Sequence, residues 1–385
     1  MSPLNGPTSE SRYARPIWIE VDLSAIAHNV GVIRRHVGAA TKIFTTLKAN
    51  GYGHGLLKAA QTVESAGADA VALVALDDAV RIREHGIKLP ILLFGGNLVC
   101  GETIDAAIRY DLTLTVHDGH SAEMVIDRGE APLRIFVEVN TGGERLGVAP
   151  SEVAAIVGRL REFPHIEVAG VYTHPGVPSG EGAVECVDWQ YGRFLSALGN
   201  LDDAGLEVPL RMASSSKMLL MGDRMVLNGV DPGNLVFGLD PGGPGKFDLD
   251  VRPALIALKS RLIHCHKPER SKFTDQAPFP VRDGMRVGVI PMGASDRLDE
   301  LHCGEVLVRG RRAPVLGKLS AEHTKIDVTD VPEAEVGDEV VIIGCQGDGA
   351  ITIGDVTQRR GGVLSDVAQA LPRPLPRLYG SEGAA

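Results

Sequence analysis

From Arg15 to about Phe247, short runs rich in β-branched and apolar residues alternate with longer amphipathic stretches, and this rhythm restricts the fold more than any other feature of the chain. Such alternation marks successive βα units wound around a parallel sheet. Strands are predicted at Ile17–Val21, Lys42–Lys48, Ala70–Leu76, Ile91–Phe94, Leu112–Val116, Arg134–Val139, Val168–Thr173 and Leu210–Ala213, with Leu235–Phe237 as a further candidate. Helical stretches such as Ser24–His36, Leu56–Ala66, Ala79–His85, Ser151–Glu162 and Cys186–Ala204 fall between them. The expected fold of residues 15–247 is α/β, a (β/α)8 barrel of the TIM type.

A Gly/Pro-rich segment, D-P-G-G-P-G-K-F-D-L-D at 240–250, interrupts the rhythm and reads as a linker. Beyond it the pattern changes to short β-runs with polar turns, at Ala254–His264, Arg286–Pro291, Glu305–Val308, Ala313–Leu319, Lys325–Val328 and Glu339–Ile343. Residues 248–385 are therefore expected to form an all-β C-terminal domain, and a chain of 385 residues is long enough for two cores. The proline-rich tail, L-P-R-P-L-P-R-L-Y-G-S-E-G-A-A, is unsuited to a helix or a central strand.

Charge and cysteine usage exclude several functions. With 39 basic against 49 acidic residues, a net charge of −10 and no basic run, the chain has no surface for neutralising phosphates, so no nucleic-acid partner is expected. No stretch approaches the ~18 uninterrupted apolar residues of a membrane span. The five cysteines (Cys100, Cys186, Cys265, Cys303, Cys345) are scattered and form no C-x-x-C pair, which suits a reducing compartment. The first residues, M-S-P-L-N-G-P-T-S-E-S-R, lack the apolar core of a signal peptide, and the expected location is the cytoplasm.

The chemistry concentrates in T-K-I-F-T-T-L-K-A-N-G-Y-G-H-G, where a β-branched run ends on Lys48 and passes into a Gly-rich turn holding Asn50, Tyr52 and His54. Active-site groups gather at the carboxyl ends of barrel strands, so Lys48 is expected to project there. A lysine whose surroundings lower its pKa can form a Schiff base and then serve as a base.

K-A-N-G-Y-G-H-G resembles the cofactor-lysine signature of alanine racemases, and R-P-I-W-I-E-V-D-L-S-A-I-A-H-N-V resembles their N-terminal strand and first helix. The resemblance continues through E-V-N-T-G-G-E-R-L-G-V, G-V-Y-T-H, R-M-A-S-S-S, G-V-D-P-G-N-L-V-F-G-L, G-E-V-L-V-R-G-R-R-A-P-V-L-G-K-L-S and D-V-T-D, and so covers Arg15 to Tyr379. It implies a pyridoxal 5′-phosphate-dependent amino-acid racemase or epimerase acting at Cα of a small-molecule amino-acid substrate, a barrel with an appended β-domain, and a homodimer with active sites at the subunit interface. It further implies Lys48 as the Schiff-base lysine, Tyr52 as a phosphate contact, Arg145 beside the cofactor's phenolic oxygen and His174 beside the ring. Ser215, with the backbone at Gly233 and Asn234, resembles the phosphate cradle. Lys48, Arg145 and His174 are the expected catalytic residues, and no metal is expected. Taken singly, Arg145 reads equally as a surface ion pair, His174 as a hydrogen-bonded strand-end histidine and Ser215 as a helix cap.

Three departures from the family pattern bear on the reaction. The family's G-Y-x-D-G, whose tyrosine is the second catalytic base, reads M-G-A-S-D-R, with Ala294 at the tyrosine position. Racemisation removes a proton from one face of Cα and returns it to the other, so either Lys48 alone swings between the faces or another acid serves. The family's arginine facing the pyridine nitrogen aligns with Asp231, whose charge favours a protonated pyridine and a stronger electron sink; Asp-Pro is also a common turn starter. Glu138 occupies the position of the family's carbamylated lysine and keeps a carboxylate near Arg145. The M-D pair of the second domain is altered to S-A-E-H, with Ala321, Glu322 and His323. Asp296, Arg297, His302 and Cys303 are candidate replacement acids or bases, while Asp299 and Glu300 read as solvated loop residues. Adjacent His302 and Cys303 without a second spaced pair make a weak metal motif. Two further readings stay open: an aldolase or other lyase acting on a β-hydroxy amino acid, for which the space at Ala294 gives room, and a non-catalytic pyridoxal-phosphate-binding protein.

Overall fold

The computed structural model of the chain describes residues 15–129, 131–178, 180–242, 248–270, 274–301 and 304–380. After an N-terminal strand, β1 (Ile17–Asp22), eight strands close a barrel: β2 (Lys42–Thr46), β3 (Ala70–Leu73), β4 (Ile91–Leu93), β5 (Leu112–Val116), β6 (Leu133–Glu138), β7 (Ile166–Tyr172), β8 (Leu210–Ser214) and β9 (Gly229–Val230). Each pairs in parallel with its neighbours, and β9 returns to β2 with Lys42 opposite Gly229 and Ile43 opposite Val230. Helices Leu56–Ser65, Leu76–Glu84, Gly101–Arg109, Gly119–Asp127, Val153–Arg161 and Ala183–Asp203 separate successive strands up to β8. Side chains of alternating size fill the barrel: Phe44, Phe136, Tyr172 and Met212 pack against the small Ala70 and Ala72. This is a packed core, not a pore.

Two predicted barrel strands fall elsewhere. Ile17–Val21 lies in β1, which pairs antiparallel with β10 (Leu255–Arg261) and, in parallel, with β18 (Arg377–Gly380). Its near-continuous burial mimics a barrel strand, but its hydrogen-bonding partners come from the far end of the chain. Leu235–Phe237 belongs to a 3₁₀ turn, Asn234–Phe237, because a buried apolar run of this length carries no period to separate turn from strand. The eighth strand is the two-residue Gly229–Val230.

The contact pattern divides the chain into two units. One holds Ala25–Tyr52 and Leu56–Arg252; the other takes β1, Gly53–Gly55 and the chain from Pro253 onward. The second unit is mainly β: β11 (His264–His266), β12 (Val287–Ile290), β13 (Glu305–Val308), β14 (Arg311–Pro314), β15 (Thr324–Asp327), β16 (Glu339–Gln346) and β17 (Gly349–Ile351) precede β18. One sheet runs β14-β13-β16-β10-β1-β18 with β17 on β16, and a smaller one runs β11-β12-β15. The tail supplies the edge strand β18, which begins directly after the last of its prolines, Pro376. Residues 243–247 of the predicted linker lie outside the described residues.

Candidate active site

Lys48 lies two residues beyond the end of β2, at the carboxyl end of the barrel. The chain then enters a left-handed turn, with Ala49, Asn50, Gly51 and Tyr52 at φ of 53°, 59°, 61° and 49°. For a residue with a Cβ this conformation costs roughly 1–2 kcal/mol, so Ala49, Asn50 and Tyr52 are held there by their surroundings. Gly51 N–H donates to Leu47 carbonyl at 2.9 Å, and Asn50 Oδ1 accepts from Leu56 N at 3.0 Å. The turn fixes Lys48 and folds the Tyr52 ring back to 5.9 Å from its Nζ. Burial holds the Lys48 pKa below the ordinary ammonium value; the nearby Arg145 cation adds to this and the Asp231 carboxylate opposes it.

The segment after β9 is laced to β2 and β8. Thr46 N donates to Pro232 carbonyl at 2.8 Å, Thr46 Oγ1 to Asp231 carbonyl at 3.1 Å, and Asp231 N to Ser214 carbonyl at 3.0 Å. Buried Ser216 then accepts from Gly233 N at 3.0 Å and Leu235 N at 3.2 Å through its Oγ. Ser215 is the N-terminal cap residue of the short helix Ser216–Leu219 and makes no side-chain capping bond; it stays partly accessible, as does Asn234. A Cβ on Gly233 would stand 2.3 Å from Tyr52 Oη, so glycine is required for the phenol to reach this loop. Tyr52 is buried against Phe237, with ring centroids 5.3 Å apart, and burial raises its hydroxyl pKa, Asp231 adding to the shift.

Across the same barrel end, β6 finishes on Glu138 and β7 on Tyr172. Tyr172 Oη donates to Glu138 Oε2 at 2.8 Å, and Arg145 Nη2 lies 3.5 Å from Glu138 Oε1. Thr115 Oγ1 at 3.2 Å and Gly95 N at 3.3 Å complete the shell of the Tyr172 hydroxyl. Complete burial raises the Tyr172 pKa well above the usual phenol value, and the Glu138 charge adds to that, so the hydroxyl keeps its proton and acts as donor. His174 extends beyond β7, with Nδ1 3.7 Å from Asp231 Oδ2. The Asp231 side chain is only 7% exposed. Glu138, Asn140, Arg145, Thr173 and His174 line a small recess here.

Two family models cover nearly the whole chain: "Alanine racemase, N-terminal domain" matches residues 21–241 and "Alanine racemase, C-terminal domain" residues 255–379. The chain belongs to the alanine racemase family. Alanine racemases of Sorangium cellulosum and Methanococcus maripaludis are 34% and 31% identical to it; each alignment covers 95% of this chain and 99% of the relative. The crystal structure of alanine racemase from Bacillus anthracis with bound L-Ala-P superposes with a TM-score of 0.87 at 27% identity, over 97% of each chain. That of alanine racemase from E. faecalis gives 0.84 at 27% identity over 96% of this chain and 99% of its own.

Within this family frame, the barrel unit brings together Lys48, Tyr52, Arg145, His174, Asp231 and Gly233. Sequence reasoning passed over Tyr172 and Ser216. Tyr172 shares strand parity with His174 two residues on, which was the available signal; Ser216 stood beside the Ser215 that the resemblance singled out. In the other unit, Ala294 opens a 3₁₀ turn, Ala294–Asp296, whose backbone docks on a second altered stretch: Ala294 N donates to Ser320 carbonyl at 3.0 Å and Ser295 N to Ala321 carbonyl at 2.8 Å. Asp296, a candidate replacement acid, is engaged structurally, binding both terminal nitrogens of Arg15 at 2.9 and 2.5 Å and Gly293 N at 3.0 Å. Arg297 pairs with Glu300. Ala321, Glu322 and His323 are exposed. His302 and Cys303 lie outside the described residues. Among the described residues no group of three or more His, Cys, Asp or Glu is placed to hold a metal, and no helix is long and apolar enough to cross a membrane.

Proposed function

We propose that this chain is a pyridoxal 5′-phosphate-dependent amino-acid racemase working at the substrate's Cα, with Lys48 holding the cofactor covalently through Nζ. One observation carries the reading: a lysine with a lowered pKa and a nearly buried carboxylate, Asp231, stand at the same barrel end, beside a glycine, Gly233, whose lack of a Cβ lets the Tyr52 hydroxyl approach the backbone. A buried carboxylate is costly unless it meets a cation. A protonated pyridine suits that need, and the phosphate suits the Tyr52 hydroxyl, the Ser215 hydroxyl and the backbone at Asn234. Gly233 serves by having no side chain, since its N–H is already committed to Ser216.

When bound, the cofactor withdraws electrons from Cα and so acidifies the Cα–H bond. Lys48 Nζ, neutral in a larger fraction than an exposed lysine, accepts a proton on one face. His174 is the candidate for the opposite role in this unit: Asp231 faces its Nδ1, leaving Nε2 to carry a proton. Arg145, steadied by Glu138, supplies a fixed positive charge beside the reacting group. A homodimer and a cytoplasmic location belong to the same reading, carried over from the family and the composition. A second reading, aldol cleavage of a β-hydroxy amino acid, rests on the sequence, where Ala294 stands at the position of the family's tyrosine.

The test is hydride reduction of the cofactor-loaded chain, mapping the phosphopyridoxyl group, followed by a panel of L- and D-amino acids in deuterated buffer with chiral analysis. Modification of Lys48 and mirror-image product carrying deuterium at Cα are expected. Aldehyde release without an enantiomer would give the second reading instead. Modified Lys48 with neither product would make the chain a cofactor-binding protein, and no modification of Lys48 would overturn the assignment altogether.

A further inference from the structure

The three-residue strand β11 reads His264-Cys265-His266 and stands at the edge of the β11-β12-β15 sheet. Strand alternation puts the two histidines on one face and Cys265 on the other, opposite Gly288 of β12. Both histidines are exposed, and their rings lie nearly parallel, 21° apart, with centroids 5.0 Å from each other. Cys265 is half-buried, with Arg286 and Asp338 as its charged surroundings. The residues paired with the histidines across the strand are Val289 and Val287, which bring no competing charge to that face.

The geometry points to His264 and His266 as a two-nitrogen chelate for a divalent transition-metal ion on the outer edge of the β-domain. Two bonds of about 2.0–2.1 Å to one ion need ring nitrogens roughly 3 Å apart. Rings stacked at 5.0 Å reach that separation by turning their side-chain torsions, which exposed side chains do freely. The strand fixes the spacing of the two ligands, so the second bond forms at high effective concentration. With only imidazole donors and the remaining positions open to water, the site favours Cu2+ and Ni2+ over Mg2+ or Ca2+, and it differs from a closed tetrahedral zinc site. It uses no residue of the barrel end and does not depend on the proposed racemase chemistry.

The experiment uses the full-length, tag-free chain on a nitrilotriacetate support charged with Ni2+, which leaves adjacent coordination positions free, together with calorimetric titration of Ni2+ into the protein. Retention and one Ni2+ per chain are expected. His264→Gln and His266→Gln should each weaken the site by about 10²-fold or more, the loss of chelation, and the double variant should pass through the column. His120→Gln, an exposed histidine elsewhere, should leave retention unchanged. Passage of the native chain through the column, or equal retention of the double variant, would overturn the assignment.

Discussion

Replacing Tyr172 by phenylalanine should destabilise the apo chain by about 2 kcal/mol, close to thirtyfold in the folded-to-unfolded ratio. The ring stays, with Phe94 at 5.2 Å and Phe136 at 6.4 Å, so the packing loss is small. What disappears is the hydroxyl that donates to Glu138 at 2.8 Å and serves Gly95 N at 3.3 Å. A hydrogen bond to a charged group contributes about 1.5–3 kcal/mol, and Glu138, 3% exposed, cannot replace it with bulk water. Arg145 compensates little, because it lies at 3.5 Å and is itself 59% exposed. In a Glu138→Gln background the acceptor is neutral and the same change should cost nearer 1 kcal/mol. Urea unfolding of the four chains, with unchanged m-values, measures the coupling. Equal costs in the Glu and Gln backgrounds, or a Tyr172→Phe cost below about 0.5 kcal/mol, would refute the charge-assisted pair.

Gly233→Ala should destabilise by about 1–3 kcal/mol and weaken cofactor binding, because its Cβ meets Tyr52 Oη at 2.3 Å; adding Tyr52→Phe should recover only part, since Cζ remains at 2.8 Å. An alanine variant with native stability and native absorbance titration would count against the close approach. Covalent capture of the cofactor by the apo chain needs neutral Lys48, so its pH midpoint should lie below the free-lysine value of about 10.4. Arg145→Leu should raise that midpoint and Asp231→Asn lower it, and a stopped-flow pH series that shows neither shift would remove both charges from the lysine's surroundings.

The barrel was readable because seven of its strands carry enough apolar residues to set a rhythm, whereas the eighth is two residues long and has a single apolar side chain, Val230. β1 was misread for a different reason: Ile17, Trp18, Ile19 and Val21 are all buried, as in a barrel strand, and the choice of partner depends on β10 and β18, which no local pattern reveals. Lys48 was readable because a strand running into a Gly-rich turn marks the functional end of a βα unit. Tyr172 was not, since an aromatic residue in a buried strand belongs by default to the core, and only its contact with Glu138 gives it a second task.

Asp231 shows how backbone and side chain divide the work at such a site. As the first residue of an Asp-Pro pair it could have been no more than a turn starter. Its N–H reaches Ser214 and its carbonyl receives Thr46 Oγ1, so the backbone already joins β8, β9 and β2 without help from the carboxylate. The carboxylate turns instead toward His174 at 3.7 Å, beyond hydrogen-bond length, in a setting where 7% exposure leaves little room for water. The Lys48 ammonium lies within electrostatic reach of the same carboxylate, so its charge faces the barrel end rather than the turn. A cation delivered by a ligand would meet this carboxylate, and that chemistry is why Asp231 is proposed as the partner of the bound cofactor's pyridine nitrogen.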